Sequence, residues 1–262
     1  MTLSFDLEDL KAKIGPRTKG IIWVHLTGFI SPNWRQIKAI AKEHGLFLIE
    51  DCAHAHGAVV DGVAAGCIGD AGCFSFYPTK VLTCGTGGML VTNCDSMART
   101  AREMRMFGRE NGTGAVVREG NDWFLDEIRA CVGYEQVADL QKFVKRRRAI
   151  ADRYRSNIPA SSLLKHLDVP LGNLRLTIIF FVFLDSKVDQ VLLSKRLQDS
   201  YGIPTKIIYP PLAEENIFLS LDNPTIARTS MFLKQTLCLP IHADLTDDEV
   251  DYISKSINRE LQ

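Results

Sequence analysis

Residues 47–80 read FLIEDCAHAHGAVVDGVAAGCIGDAGCFSFYPTK. The stretch opens with an apolar run that stops at two acids, Glu50 and Asp51. It closes with an aromatic run, Phe74, Phe76 and Tyr77, that stops at Lys80. Short runs of this kind, bounded by turn residues, predict core strands. Ligands of parallel α/β sheets bind outside the carboxyl ends of the strands. An acid and a lysine just past two such ends can therefore share one edge of one sheet.

The residues before this stretch supply its partner strand. GIIWVHL, 20–26, reads as a strand buried on both faces. In the segment after it, Ser31 is a helix cap with Pro32 at the first position, and Gly45 ends the helix. Ile37, Ile40 and Ala41 form its apolar stripe. Strand, helix and the strand LFLIED make a β-α-β unit, which predicts parallel, neighbouring strands. Further strands are expected in GCFSFY, 72–77, and GGMLVTN, 87–93, and a helix from Asp95 to Gly108. Residues 108–122 read as a long surface loop.

A long helical pattern starts at Asp126, with Ile128, Val132, Val137, Leu140, Phe143 and Val144 on its apolar face. Its basic run, Lys145 to Arg148, reads as a solvated face. Pro159–Ser162 and Pro170–Gly172 punctuate a boundary. Beyond it LRLTIIFFVFL predicts a strand, KVDQVLLSKRLQDSYG a helix, and Thr246 with Glu249 a capping box. The expected organisation is a large domain over 1–145 and a smaller C-terminal α/β domain over 146–262.

Composition is that of an ordinary globular protein. Hydrophobic residues make up 46% of the 262 and charged residues 24%, with Lys+Arg and Asp+Glu at 31 each. No net field calls for nucleic acid or an anionic membrane. The apolar run LTIIFFVFL is far too short to cross a bilayer. Seven cysteines, an odd count without a CxxC pair, predict reduced and mostly buried thiols in a cytoplasmic protein, with no metal site.

An acid and a lysine in one pocket suit pyridoxal phosphate. The lysine can form a Schiff base with its aldehyde. The acid can keep its ring nitrogen protonated, which makes the ring an electron sink. Ser75, five residues before Lys80, is a candidate donor for the phosphate. Read by spacing alone, Glu50 and Asp51 serve equally as helix caps and Lys80 as a surface lysine.

The wording EDCAHAHGAVVDG, GCIGDAGCFSFYPTK and GTGGMLVTN resembles the DegT/StrS family of sugar aminotransferases. IGPRTKGIIWVHLTG, GNDWFLDEIRACVGYEQVADL, RRRAIADRYRSNI and LCLPIHADLTDDEV extend the resemblance over nearly the whole chain. It implies an α/β fold of the pyridoxal-phosphate type I class, a mostly parallel sheet flanked by helices plus a smaller α/β domain. It further implies a homodimer that moves an amino group, usually from glutamate, to a nucleotide-linked keto-sugar. On that resemblance Lys80 holds the cofactor and shuttles protons, Asp51 pairs with the ring nitrogen, His54 lies beside the ring, and Ser75 binds the phosphate. His25 and His56 are left as structural residues, and Tyr209 reaches toward the substrate.

The pattern breaks twice. Relatives carry a segment ahead of the point matched by residue 1, with a phosphate-binding turn and a ring-stacking residue. The chain is therefore expected to be partial or truncated, with weaker cofactor binding and exposed sheet. Relatives also place Asn and Arg where this chain has Asp122 and Phe124, in a loop that reaches the neighbouring subunit's site; Asn121 is the alternative donor. Two other readings stand beside the aminotransferase. One is a dehydratase on the same fold, against which Lys80 argues because such relatives carry histidine there. The other is a non-catalytic family member.

Overall fold

Three parallel strands and one antiparallel strand build the sheet that carries the acid and the lysine. The computed structural model describes residues 3–166, 178–207, 209, 215 and 227–262, the side chains of 227 and 228 excepted. These residues divide into two units: residues 3–145 with Ile178, and residues 146–166 with Ile179–Gln262.

In the first unit, α1 (Leu7–Lys13) precedes β1 (Gly20–Val24), α2 (Trp34–Glu43) and β2 (Phe47–Asp51). A two-strand hairpin, β3 (Val59–Val60) and β4 (Val63–Ala64), separates β2 from β5 (Ala71–Ser75), and β6 (Gly88–Val91) follows. Sheet order is β1-β2-β5-β6. β1, β2 and β5 are parallel, with Val24, Asp51 and Cys73 in register, and β6 runs antiparallel to β5. The β-α-β prediction holds because α2 buries Trp34, Ile37, Ile40 and Ala41 and packs against β2.

α2 starts later than Ser31 and Pro32 suggest. Asn33 precedes its first residue, and the Ser31 hydroxyl accepts the Asn33 N–H at 3.2 Å instead of capping the helix. β1 also differs from expectation. It alternates between buried and exposed, with Ile22 70% exposed, so only one sheet face is covered by described elements.

α3 (Asp95–Arg105) stops three residues before Gly108. The loop after it is ordered by backbone pairing: Met106 bridges Asp122 and Arg109 bridges Val116. Its throat is glycine-lined. A Cβ on Gly108 would meet the Arg118 carbonyl oxygen at 1.8 Å, and one on Gly120 the Gly108 nitrogen at 2.1 Å. Buried Glu103 holds the Arg118 guanidinium at 2.5 Å behind that throat. The long helical pattern is two helices, α4 (Glu127–Ala138) and α5 (Leu140–Asn157), divided at Asp139. Ile128, Val132 and Val137 of α4 are exposed, whereas Val144 is buried.

In the second unit, β7 (Leu164–Lys165), β8 (Phe180–Leu184) and β9 (Thr236–Leu239) pair antiparallel. α6 (Gln190–Tyr201), α7 (Ala227–Lys234) and α8 (Asp247–Glu260) accompany them. Ile150, Tyr154, Val182, Leu197, Leu237 and Ile257 anchor its core. Thr246 and Glu249 form the predicted capping box. The basic run is more than a solvated face: buried Arg147 donates to the Ile241 carbonyl at 2.8 Å, and Arg146 to the Leu245 carbonyl and Asp247. Arg153 grips Asp251 through two bonds of 2.6 and 2.7 Å. Pro170–Gly172, the start of the strand predicted before Ile178, and Pro210–Leu212 lie outside the described residues.

Candidate active site

Strand alternation sends the two acids at the end of β2 to opposite faces. Glu50 enters the core. One of its oxygens accepts the Ile68 and Gly69 N–H groups, each at 2.7 Å, and the other accepts Gly66 N–H at 2.9 Å and pairs with His25 Nε2 at 2.8 Å. Burial alone would raise its pKa; His25 and the Gly69 and Gly66 amides outweigh burial and hold it low. Gly69 makes this contact feasible, because a Cβ there would lie 2.3 Å from the Leu48 carbonyl oxygen. Glu50 thus pins the loop before β5, a role the sequence reading did not assign. The signal was available: adjacent acids at a strand end must point opposite ways.

Asp51 stays at the carboxyl edge, half-buried, with Oδ1 accepting Ala53 N–H at 2.9 Å. Lys80 lies beyond β5 in a turn closed by its N–H on the Tyr77 carbonyl at 3.0 Å. Burial pushes the Lys80 ammonium below its ordinary pKa, and the Asp51 charge opposes that shift. Lys80 therefore lies within reach of the Asp51 charge.

His54 joins them. Its imidazole is buried and pushed down to about 4, first by burial and then by the Lys80 charge, against the pull of Asp51. Nδ1 accepts the Thr27 N–H at 3.4 Å, which leaves the neutral ring's proton on Nε2. Thr27 supplies that N–H from a left-handed backbone, φ 61°, a conformation a β-branched residue rarely adopts. Nothing in the sequence announces it.

Ser75, the last residue of β5, accepts the Tyr77 N–H at 3.3 Å through Oγ and so keeps its own proton to donate. His56 is buried beside Phe74, ring centroids 5.4 Å apart, and is also pushed to about 4 by burial, with the Ser75 backbone opposing and Lys80 adding. Asp51, His54, Ser75 and Lys80 thus gather at one end of β2 and β5. Tyr209 is exposed.

Among the described residues, His25, Glu50 and Cys52 offer ligand atoms within 4.8 Å of one another. Both Glu50 oxygens are already occupied by N–H donors, and burial raises the Cys52 thiol pKa far above neutrality. His25 and Glu50 form a hydrogen-bonded pair in the core, with the buried Cys52 thiol beside them. The thiols depart from expectation: all seven are free, but Cys67, Cys73, Cys94 and Cys131 are exposed.

A parallel α/β sheet with an acid and a lysine at its carboxyl edge is the plan of a fold type I pyridoxal-phosphate enzyme. Residues 1–258 match the DegT/DnrJ/EryC1/StrS aminotransferase family, and the chain belongs to that family. It is 34% identical over 256 residues to a dTDP-3-amino-3,4,6-trideoxy-alpha-D-glucose transaminase of Micromonospora megalomicea subsp. nigra, covering 96% of this chain and 68% of that one. A UDP-N-acetyl-3-dehydro-alpha-D-glucosamine 3-aminotransferase of Acidithiobacillus ferrooxidans is 32% identical, covering 96% of this chain and 67% of that one. The crystal structure of a family aminotransferase from Brucella abortus superposes with a TM-score of 0.90 at 31% identity, covering 99% of this chain and 70% of that one. Among the described residues, no helix is long and apolar enough to cross a membrane.

Proposed function

We propose that the chain transfers an amino group from an amino acid, with glutamate as donor, to the ketone of a nucleotide-linked sugar, using pyridoxal phosphate held by Asp51, His54, Ser75 and Lys80. One observation carries the reading: Asp51 ends β2 at the carboxyl edge of the sheet, and its charge acts on the Lys80 ammonium just beyond β5. The residues suit the group. Asp51 has one oxygen engaged by Ala53 and a second to offer, and the Lys80 amine is partly desolvated.

Pyridoxal phosphate, when bound, supplies an aldehyde for the amino group and a ring that takes up electrons. Asp51 holds a proton on the ring nitrogen. Lys80 must be neutral to accept a proton from the donor carbon, and its lowered pKa enlarges that neutral fraction. His54, uncharged, offers its Nε2 proton at the ring's edge, and the Ser75 hydroxyl donates to the phosphate. The family and its nucleotide-sugar relatives support the acceptor class.

The assembly proposed is a homodimer, supported by the exposed apolar residues Ile128, Val132, Tyr134 and Val137 on α4. Seven free thiols suit a reducing compartment, the cytoplasm. Large and small domains are assigned to 1–145 and 146–262.

The test is an absorbance titration of the chain with pyridoxal phosphate, followed by borohydride reduction and peptide mapping. A single label on Lys80 supports the reading. Label spread over exposed lysines such as Lys38 and Lys142 overturns it.

A further inference from the structure

The loop after α3 reads GRENGTGAVVREG over 108–120. At its tip Asn111 precedes Gly112, and no other asparagine of the chain has a glycine after it. The side-chain amide of an asparagine can be attacked by the backbone nitrogen of the next residue, which closes a cyclic imide. A side chain on that next residue crowds the ring, and glycine removes the obstacle.

The fold leaves this pair open. Both residues are exposed, Gly112 has φ 98°, and a Cβ on it would meet nothing within 4 Å. Among the described residues, neither the Gly112 N–H nor the Asn111 side chain has a hydrogen-bond partner. Their neighbours do. Gly114 N–H donates to the Glu110 carbonyl at 3.0 Å, Thr113 Oγ1 to the Glu110 carboxylate at 2.8 Å, and the Arg109 guanidinium to the Gly114 carbonyl at 2.8 Å. The tip is thus closed around the pair while the two reacting groups stay free and wet. Asp61–Gly62, in the β3–β4 turn, makes the contrast. The Asp61 carboxylate accepts Trp34 Nε1 at 3.0 Å and Arg35 at 2.6 Å, and these bonds hold it ionised, below the ordinary carboxylate range. An ionised carboxylate held in that way is a poor target for the same attack.

We propose that Asn111 is a self-modification site, at which the chain converts its own amide to a carboxylate with water as the co-reactant. The Gly112 nitrogen gives up its proton and forms a bond to Asn111 Cγ. The bond from Cγ to the amide nitrogen breaks, and ammonia leaves with that proton. Water then opens the imide. Attack at the side-chain carbonyl gives an aspartyl residue, and attack at the backbone carbonyl gives an isoaspartyl residue whose chain runs through Cγ. Nothing is oxidised or reduced. Either product sets a new negative charge beside Glu110. The isoaspartyl form also adds a carbon to the backbone inside the turn that Gly114 closes on Glu110, so that turn must reopen. The site is independent of the amino-transfer reading.

The experiment ages the full chain at neutral pH for days, then digests it with trypsin and weighs the peptides. Cleavage at Arg109 and Arg118 frees residues 110–118, which hold no other asparagine and no glutamine. The expected result is a gain of about 1 Da on this peptide ahead of every other asparagine-containing peptide. Part of the product should resist the protease that cuts before aspartate, which marks the isoaspartyl form. Conversion should quicken as pH rises, because the attacking nitrogen must lose its proton, and slow about tenfold in Gly112→Ala. The same peptide, cut free before ageing, shows that the chemistry runs under the conditions used. Conversion of the free peptide with none in the folded chain overturns the proposal. Earlier conversion at another asparagine, or an equal rate in Gly112→Ala, overturns it as well.

Discussion

At the scale of the residue, the candidate site is a set of charges held off balance. Lys80 is drawn toward neutrality by burial and back toward charge by Asp51. Replacing Lys80 with Ala should lower amino transfer at least about 100-fold and abolish the borohydride-fixed label, with circular dichroism unchanged. Asp51→Asn should keep the label and slow turnover by a similar factor, measured as kcat. Glu50→Gln is a stability test. It removes a carboxylate that accepts three buried amide N–H groups and pairs with His25, so denaturant unfolding should report a loss of about 3 kcal/mol. The histidines give a pH signature. His54 and His56 are held to about 4, against ~6.5 in the unfolded chain. Between those values the unfolded chain binds more protons, so stability is complete above the upper value and falls as pH falls. The slope is about 1.4 kcal/mol per pH unit for each ring. Unfolding midpoints from pH 7 to 4 should show it, and His54→Asn should halve it.

At the scale of the element, local chemistry decided what could be read in advance. Asp126 opens α4, and Thr246 with Glu249 opens α8, because a side chain bonds the first free amides whatever the rest of the fold does. Thr246→Ala should cost about 1 kcal/mol, visible as a lowered Tm. The parallel pairing of β1 with β2, and with it the place of Asp51 at the end of β2, was equally legible from the β-α-β order. Other features depend on distant partners. Arg147 is buried because a carbonyl remote in sequence, that of Ile241, waits for it. Ile22 and Ile128 are exposed although their apolar patterns predict burial. The left-handed Thr27 depends on His54, 27 positions away, for its bond.

At the scale of the whole molecule, the two units carry separate hydrophobic clusters, Phe76, Leu82 and Cys84 in the first and the larger group around Leu237 in the second. Leu237 is fully buried, so Leu237→Ala should destabilise its unit by about 3 kcal/mol. Hydrogen exchange should show the loss of protection concentrated in β8, β9, α6 and α8. The glycine throat at Gly108 and Gly120 acts on another timescale, that of descent. No side chain fits there without moving backbone, so mutation is barred at the neck of the loop. The tip between Glu110 and Gly114 is exposed and bonds within the loop, through Gly114 N–H on the Glu110 carbonyl at 3.0 Å and Thr113 on the Glu110 carboxylate at 2.8 Å, so it can be exchanged as a unit. A lineage can thus exchange that tip, or an engineer graft in its place, while the neck keeps the end of α3 bridged to the segment before Trp123.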